Sequence, residues 1–503
     1  MQSLTSFHFS KVSSLSSFFN NYDIKLSPSF KGKLSWLSEY IKPAMERKLQ
    51  SVASYDILSG LNDAIADTAK WLLKAGVDVN QGDSYMNTPL HYAAQGGLES
   101  LVDVLLSNGA DPNAVNTEAR TPLHFAAAYG HANVAAKLIK SGADAELLDS
   151  YGVSSNKIIA SPGPILKAEA KEILGISQRE PKKIERLLHP EISNESEIGY
   201  WAGGAGGWGA ERKVGFEEDM ECDIDQYWAD EITGEEVFNN YIASNSPVLI
   251  RGLISSWPAI QTYSYANLSS RFGSIRVQVS DIPYAQKFGG SVSTDMLLSE
   301  YIEEVRDHKI IGESHPWYVF RGHPIPNIAD GPGSFVSYDD CPTPRVIYDA
   351  FKFLKNPRGG NVGGPRSRDN FINAQWAFGG EGTGAPVHFH NTAWNALVYG
   401  AKKWLVYPPH YKIMSSKQIL DFYETDMTDY KNKGIKPLTC IQTAGDVMII
   451  PESWGHGVLN IQESIAVATE AKYALWRMKS PIKIMNSLPS DNREDYKKRV
   501  GKH

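Results

Sequence analysis

Apolar positions in the first third of the chain recur at a fixed interval. The segment TPLHYAAQGGLESLVDVLLSNGADPNAVNTEAR runs directly into TPLHFAAAYGHANVAAKLIKSGADAELLDSYGV, so Thr88 and Thr121 stand 33 residues apart, as do Gly76, Gly109 and Gly142. Each unit predicts two helices: Thr-Pro opens the first, the small Ala-Ala pair lets the two pack closely, and the glycine ends the second before a hairpin. An earlier unit around 55–87 keeps only AKWLLKAGVDVNQGD, and a later one from Ser154 keeps little beyond the spacing. Terminal units of an array lose the pattern because their outer faces meet water, so three to four repeats are expected over 55–178. From about Lys213 the helical period gives way to short runs separated by Gly and Pro: SPVLIRGL, SIRVQVSDIPY, PWYVFRG, NAQWAFGG, NALVYG, KKWLVYPP, GDVMIIP, HGVLNI and SIAVATEA. Many short strands with turn signals between them predict a sandwich or barrel.

The region between, 179–214, passes from REPKKIER to the glycine-rich GYWAGGAGGWGAER and reads as a linker. Its Trp201 and Trp208 are expected to dock on the next domain, since a plain flexible tether has little use for them. The expected divisions are an N-terminal helical or extended segment 1–54, the repeats 55–178, the linker 179–214, a mostly β domain 215–480 and a tail 481–503.

Composition narrows the class of function. A chain of 503 residues with 42% hydrophobic and 21% charged positions is ordinary folded protein, long enough for about three domains. A net charge of −7 argues against a partner made of nucleic acid or anionic membrane, both of which need a basic surface. No run approaches the apolar length of a membrane span. Cys222, Cys341 and Cys440 are odd in number and scattered, so no disulfide framework is expected and a reducing compartment is the default, cytoplasmic or alternatively nuclear. The serine-rich start, MQSLTSFHFSKVSSLSSFFNN, faintly suggests a transit peptide but lacks its arginines, and the basic end KKRVGKH follows DNRED and reads as a solvated tail.

The TPLHxAA openings at this period resemble the ankyrin repeat, which implies recruitment of a protein partner on a concave surface. His91 and His124 sit at the helix starts, where a structural hydrogen-bonding role is expected. Asn113 lies in an inter-helix loop and is a candidate substrate for hydroxylation by this or another enzyme.

Three segments of the second half carry the chemistry: PVLIRGLISSWPA (247–259), GTGAPVHFHNTAWNALVYGAKKWLVYPP (382–409) and GDVMIIPESWGHGVLN (445–460). In an extended strand His388 and His390 share one face and Phe389 takes the other. The segments resemble, in order, the opening strand, the metal strand with its successor, and the distal-histidine strand of JmjC (Jumonji C) domains, over roughly residues 215–475. The resemblance implies a multidomain protein: an α-helical ankyrin solenoid followed by a mostly β double-stranded β-helix, the cupin or jelly-roll form. It also implies binding of Fe(II) and the cosubstrate 2-oxoglutarate, and oxidation of C–H bonds, with a protein as substrate.

Carried over by position, the metal ligands are His388, His390 and His456. No catalytic residue is expected beyond them. Such sites ordinarily use two histidines and a carboxylate, and His390 stands where the carboxylate is expected. Three imidazoles still suit iron, and a subset of small JmjC proteins shares the HxH arrangement. The site is then one charge more positive, which favours a dianionic cosubstrate and makes the iron harder to oxidise. Lys402 matches the lysine that pairs with the far carboxylate of 2-oxoglutarate. Asn395 and Tyr318 match cosubstrate-contacting residues. Against the pattern, a common threonine falls on Ala468, and a common hydroxyl falls on Ala385 unless Thr383 supplies it from a shifted register. Trp394, Trp404 and Trp454 read as core or pocket wall. The resulting expectation is a 2-oxoglutarate-dependent oxygenase that hydroxylates, or alternatively demethylates, a protein side chain. The rivals are a catalytically inactive JmjC scaffold and a three-histidine dioxygenase that does not use 2-oxoglutarate.

Overall fold

The structure, a computed structural model, describes residues 85–161, 179–184, 222–280, 294–306, 318–322, 339–354, 374–472 and 474–476, together with parts of 63–83, Gly175 and Trp208. The segments 1–54 and 481–503 and Trp201 lie outside the described residues. Two compact units divide the chain.

Along the repeats, helices α1 (Pro89–Gly96) and α2 (Glu99–Ser107) form one pair, and α3 (Pro122–Tyr129) and α4 (Ala132–Lys140) the next. A further helix, α5 (Ser155–Ala160), opens at Ser154, whose side chain accepts the Lys157 N–H at 3.2 Å. Thr88, Thr121 and Ser154 thus each precede a helix at the same interval. The small and aliphatic positions Leu90, Ala93, Ala94, Val102, Leu105, Leu123 and Leu138 are buried, as the pattern requires. Gly76, Gly109 and Gly142 take φ of 88°, 86° and 92°, the left-handed region that ends a helix and that a Cβ would strain.

His91 and His124 are structural. The Thr88 N–H donates to His91 Nδ1 at 3.1 Å and His91 Nε2 reaches Arg120 O at 2.9 Å, which fixes the neutral tautomer with its proton on Nε2. Burial holds its pKa down at about 4. Thr121 repeats the motif with His124, N–H to Nδ1 at 3.1 Å. Asn80 and Asn113 also act in register, each giving its amide to the helix-ending glycine of the next unit, Gly109 O at 3.1 Å and Gly142 O at 2.9 Å. Asn113 Oδ1 in turn accepts the Asp144 N–H at 2.8 Å, so the candidate substrate asparagine is engaged at both ends of its amide.

The second unit is built on two sheets. In chain order the strands are β1 (Asp225–Trp228), β2 (Val248–Arg251), β3 (Arg276–Ser280), β4 (Thr294–Leu297), β5 (Tyr318–Gly322), β6 (Gln375–Gly379), β7 (Gly384–His388), β8 (Ala393–Tyr399), β9 (Ala401–Tyr407), β10 (Leu438–Thr443), β11 (Val447–Ile450), β12 (Gly455–Asn460) and β13 (Ser464–Glu470). The larger sheet has the order β1-β2-β11-β8-β13-β6-β5-β3-β4 and the smaller β10-β9-β12-β7. From β6 to β13 the chain crosses repeatedly between the two, which is the double-stranded β-helix in its jelly-roll form. Among the described residues the sheets do not close into one barrel.

One core lies between the sheets, where Trp404, Val406, Cys440 and Val458 meet Leu249, Met448 and Ile450. A second covers the outer face of the small sheet, where Leu405, Tyr407 and Leu459 pack under Ile419 and Phe422. Strand β9 is therefore buried on both faces along its whole length. The linker is partly part of this unit: Lys182 O accepts the Gln226 N–H at 3.0 Å, and Trp208 is buried with its Nε1 on Tyr263 O at 2.8 Å and its ring 5.2 Å from Phe378. Trp208 docks as the pattern suggested.

The cysteines depart from expectation. Cys222 and Cys440, 218 residues apart, form a disulfide inside the inter-sheet core, and Cys341 remains free and buried. Spacing along the chain carries no trace of this pair, because the fold alone brings the segment before β1 alongside β10. There the Asp223 N–H donates to Thr439 O at 2.8 Å.

Candidate metal centre

The small sheet carries the three imidazoles. His456 opens the inward row of β12 and stands directly opposite His388 at the end of β7. The register then slips: Val458 lies opposite Ala385, so three residues of β7 span two of β12. That bulge turns both Ala385 and His388 inward while Val387 joins the outer core. Pro386 suits the bulge because it has no N–H for the ladder to lose. His390 lies two residues past the strand end, in the link to β8, so it does not share a regular strand face with His388 as the alternation predicted. Its carbonyl accepts the Ser453 N–H at 3.0 Å, tying it to the turn before β12.

The ring centroids are 4.5 Å apart for His388 and His456, 4.7 Å for His390 and His456 and 5.2 Å for His388 and His390. Their donor nitrogens all lie within 4.8 Å of one another. Each Nδ1 faces a backbone carbonyl: Pro386 O at 2.7 Å for His388, Asn391 O at 2.6 Å for His390 and Trp454 O at 3.0 Å for His456. A carbonyl only accepts, so every Nδ1 holds the proton and every Nε2 keeps its lone pair. Burial pushes all three pKa values down, that of His388 to about 4, and the neighbouring imidazoles add to the effect on His388 and His456. Three neutral imidazoles oriented in this way can hold a divalent transition metal.

Alternation places Lys402 on the inward row of β9 with Trp404 and Val406, opposite Asn460 of β12 and Gln442 of β10. The lysine is buried and its Nζ makes no hydrogen bond among the described residues, so desolvation alone lowers its pKa to about 7. Across the gap, β8 presents Asn395, whose buried Oδ1 meets no hydrogen-bond partner among the described residues, and β5 presents the buried Tyr318, opposite Gly379 of β6. Thr383 lies just before β7; its hydroxyl donates to Gly380 O at 2.7 Å and accepts from Asn460 Nδ2 at 2.9 Å. Asn460 was not singled out in the sequence; only its pairing opposite Lys402 draws attention to it.

On strands otherwise fully buried, Gln375, Ala393, Asn395, Ala468 and Glu470 are half-exposed, as are His388 and His390. Cross-strand pairing joins them into one wall, with Gln375 beside Ala468, Ala468 beside Asn395 and Glu470 beside Ala393. This wall marks the open mouth of the space between the sheets. Trp404 and Trp454 are core, with Trp404 Nε1 on Gln442 Oε1 at 2.9 Å and Trp454 Nε1 on Asn245 O at 2.8 Å.

Residues 377–470, which hold all three imidazoles, match a family model described as JmjC domain, hydroxylase; residues 59–149 match a model of ankyrin repeats in three copies. The chain thus carries a region that matches ankyrin repeats and a region that matches a JmjC domain. The chain is 26% identical over 251 residues to the arginine-specific demethylase JMJ22 of Arabidopsis thaliana, covering 47% of this chain and 44% of that one. It is 24% identical over 282 residues to JmjC domain-containing protein 8 of Mus musculus, covering 53% of this chain and 90% of that one. It is 23% identical over 283 residues to the 2-oxoglutarate and iron-dependent oxygenase JMJD4 of Danio rerio, covering 48% and 59%. The chain spans about half the length of the Arabidopsis demethylases it matches, 44% and 54%. Among the described residues, no helix is long and apolar enough to cross a membrane.

Proposed function

We propose that the JmjC domain is an Fe(II)- and 2-oxoglutarate-dependent oxygenase that hydroxylates a protein side chain, with the ankyrin repeats recruiting the protein. One observation carries the reading: three imidazoles bring their donor nitrogens together at the mouth of the inter-sheet space, and a buried lysine that meets no counter-ion among the described residues lies deeper in the same space. The donor set fits a ferrous ion, and the lysine fits a carboxylate.

In this reading His388, His390 and His456 hold the metal, which, with its cosubstrate bound, supplies the oxidising chemistry. Lys402 takes the far carboxylate of 2-oxoglutarate. Tyr318 and the Asn395 amide line its flanks, and Thr383, whose proton goes to Gly380, fixes Asn460 beside the lysine. The carbonyls on each Nδ1 keep the imidazoles neutral and aimed, and Trp404, 5.9 Å from the His456 ring, excludes water from the wall between metal and lysine. N-methyl groups of arginine are an alternative substrate, in line with the Arabidopsis relatives named as arginine-specific demethylases. His390 in the carboxylate position favours a second reading, a JmjC scaffold without turnover.

Anaerobic titration of the Fe(II)-loaded chain with 2-oxoglutarate separates them. A metal-to-ligand charge-transfer band in the native chain, lost in His388→Ala, is expected. A band that arises only in His390→Asp would transfer the argument to the scaffold.

A further inference from the structure

Glu470 is a carboxylate set against the triad without belonging to it. It ends β13 on the inward row that carries Ala466 and Ala468, in register with Ala393 of β8. Its Oε1 accepts the backbone N–H of Asn391 at 3.0 Å, and Asn391 directly follows His390. The same corner is closed by Asn391 Nδ2 on Ala471 O at 3.1 Å and by the Ala471 N–H on Thr392 O at 2.8 Å. The charge is close enough to the first imidazole to favour its protonated form. Among the described residues, only His388, His390 and His456 bring their donor atoms into one cluster, so Glu470 stands outside the ligand shell.

The physical problem it addresses is charge. A divalent ion on three neutral imidazoles keeps its full charge in a half-buried cleft, where the usual site would cancel part of it with a carboxylate ligand. An anion one layer out lowers the cost of that charge through a reduced dielectric and occupies no coordination position. We propose that Glu470 is the anionic partner of a three-histidine metal centre: through Asn391 it positions the His390 segment, and its carboxylate supplies the negative charge that the ligand set lacks. The proposal rests on the reading of the three histidines as metal ligands.

The test uses the full chain and Co²⁺ alone, without cosubstrate or turnover, followed by calorimetry and the visible absorption of the bound ion. Glu470→Gln keeps an oxygen for the Asn391 N–H and removes the charge. It is expected to weaken Co²⁺ binding by about 10- to 100-fold, the range for partners just outside a ligand shell, while the thermal midpoint of the metal-free chain stays put. The same substitution is then made on His390→Asp, which carries its anion inside the shell. There the loss should be markedly smaller, whereas a purely structural Glu470 costs the same in both backgrounds. Equal affinity of the native chain and Glu470→Gln, or equal losses in the two backgrounds, overturns the proposal and leaves the triad standing. A native chain that binds Co²⁺ no better than His388→Ala overturns the triad reading and this proposal with it.

Discussion

Lys402 offers the sharpest test of the inter-sheet space, because a single physical cause, burial, moves it. The side chain is 1% exposed, and burial alone lowers its pKa from 10.5 to about 7. The unfolded chain keeps the ammonium protonated up to about 10.5, so between pH 7 and that value the unfolded state binds more protons than the folded one. Folding stability therefore rises with pH across this window; below about pH 7 the full cost of the buried charge is present. The span corresponds to an order-of-magnitude penalty of about 5 kcal/mol. A carboxylate arriving at Nζ restores the charge, so binding of 2-oxoglutarate above pH 7 must take up a proton. Its affinity should fall about tenfold for each pH unit between about 7 and 9. Calorimetric titration of the Mn²⁺-loaded chain in two buffers of different ionisation enthalpy reads both quantities, with proton uptake near zero at pH 6 and near one at pH 9. Lys402→Met should remove the pH dependence and cost about 10- to 100-fold in affinity, the loss of a charged hydrogen bond. An affinity independent of pH in the native chain, or one unchanged in Lys402→Met, refutes the assignment of the lysine to the anion.

Two further outcomes test the frame around the site. Gly384 has φ of 153° and a Cβ there would lie 1.8 Å from Val458 O, so Gly384→Ala should lift β7 from β12 and abolish Co²⁺ binding; a variant that binds like the native chain contradicts the described pairing. In the repeats, Arg120 and Asp149 form a 3.1 Å ion pair with both side chains fully buried, so Arg120→Ala should destabilise the array by about 3–5 kcal/mol in urea unfolding, and adding Asp149→Ala should recover part of the loss.

Much of this molecule was legible in its sequence. The 33-residue recurrence of TPLHxAA and of Gly109 and Gly142 specified the repeat helices, because caps and helix-ending glycines act locally. Every apolar run singled out between Gly and Pro in the second half holds a strand among its described residues, since burial on one or both faces writes itself into consecutive residues. The segments DQYW, TDML and LTCIQT escaped notice: the first two are only four residues long, and the last mixes Thr, Cys and Gln into a strand whose burial comes from neighbours distant in sequence. His388, His390 and His456 were legible as a motif, and Lys402 as a charged residue inside an apolar strand.

Their meeting was not legible. The bulge at Pro386 that turns His388 inward depends on how β12 lies beside β7. The tautomer of each imidazole depends on a carbonyl that the backbone must first place. Glu470, Asn460 and the Cys222–Cys440 pair show no local pattern, because each acquires its role from a strand or segment that only the folded sheets bring alongside. The sequence by itself determined which residue types were available and on which faces of which elements they fell, since periodicity and capping are properties of neighbours along the chain. The tertiary structure alone decided which of them share a cavity and which carry a charge out of water, because contact between strands and removal of water are properties of the assembled sheets.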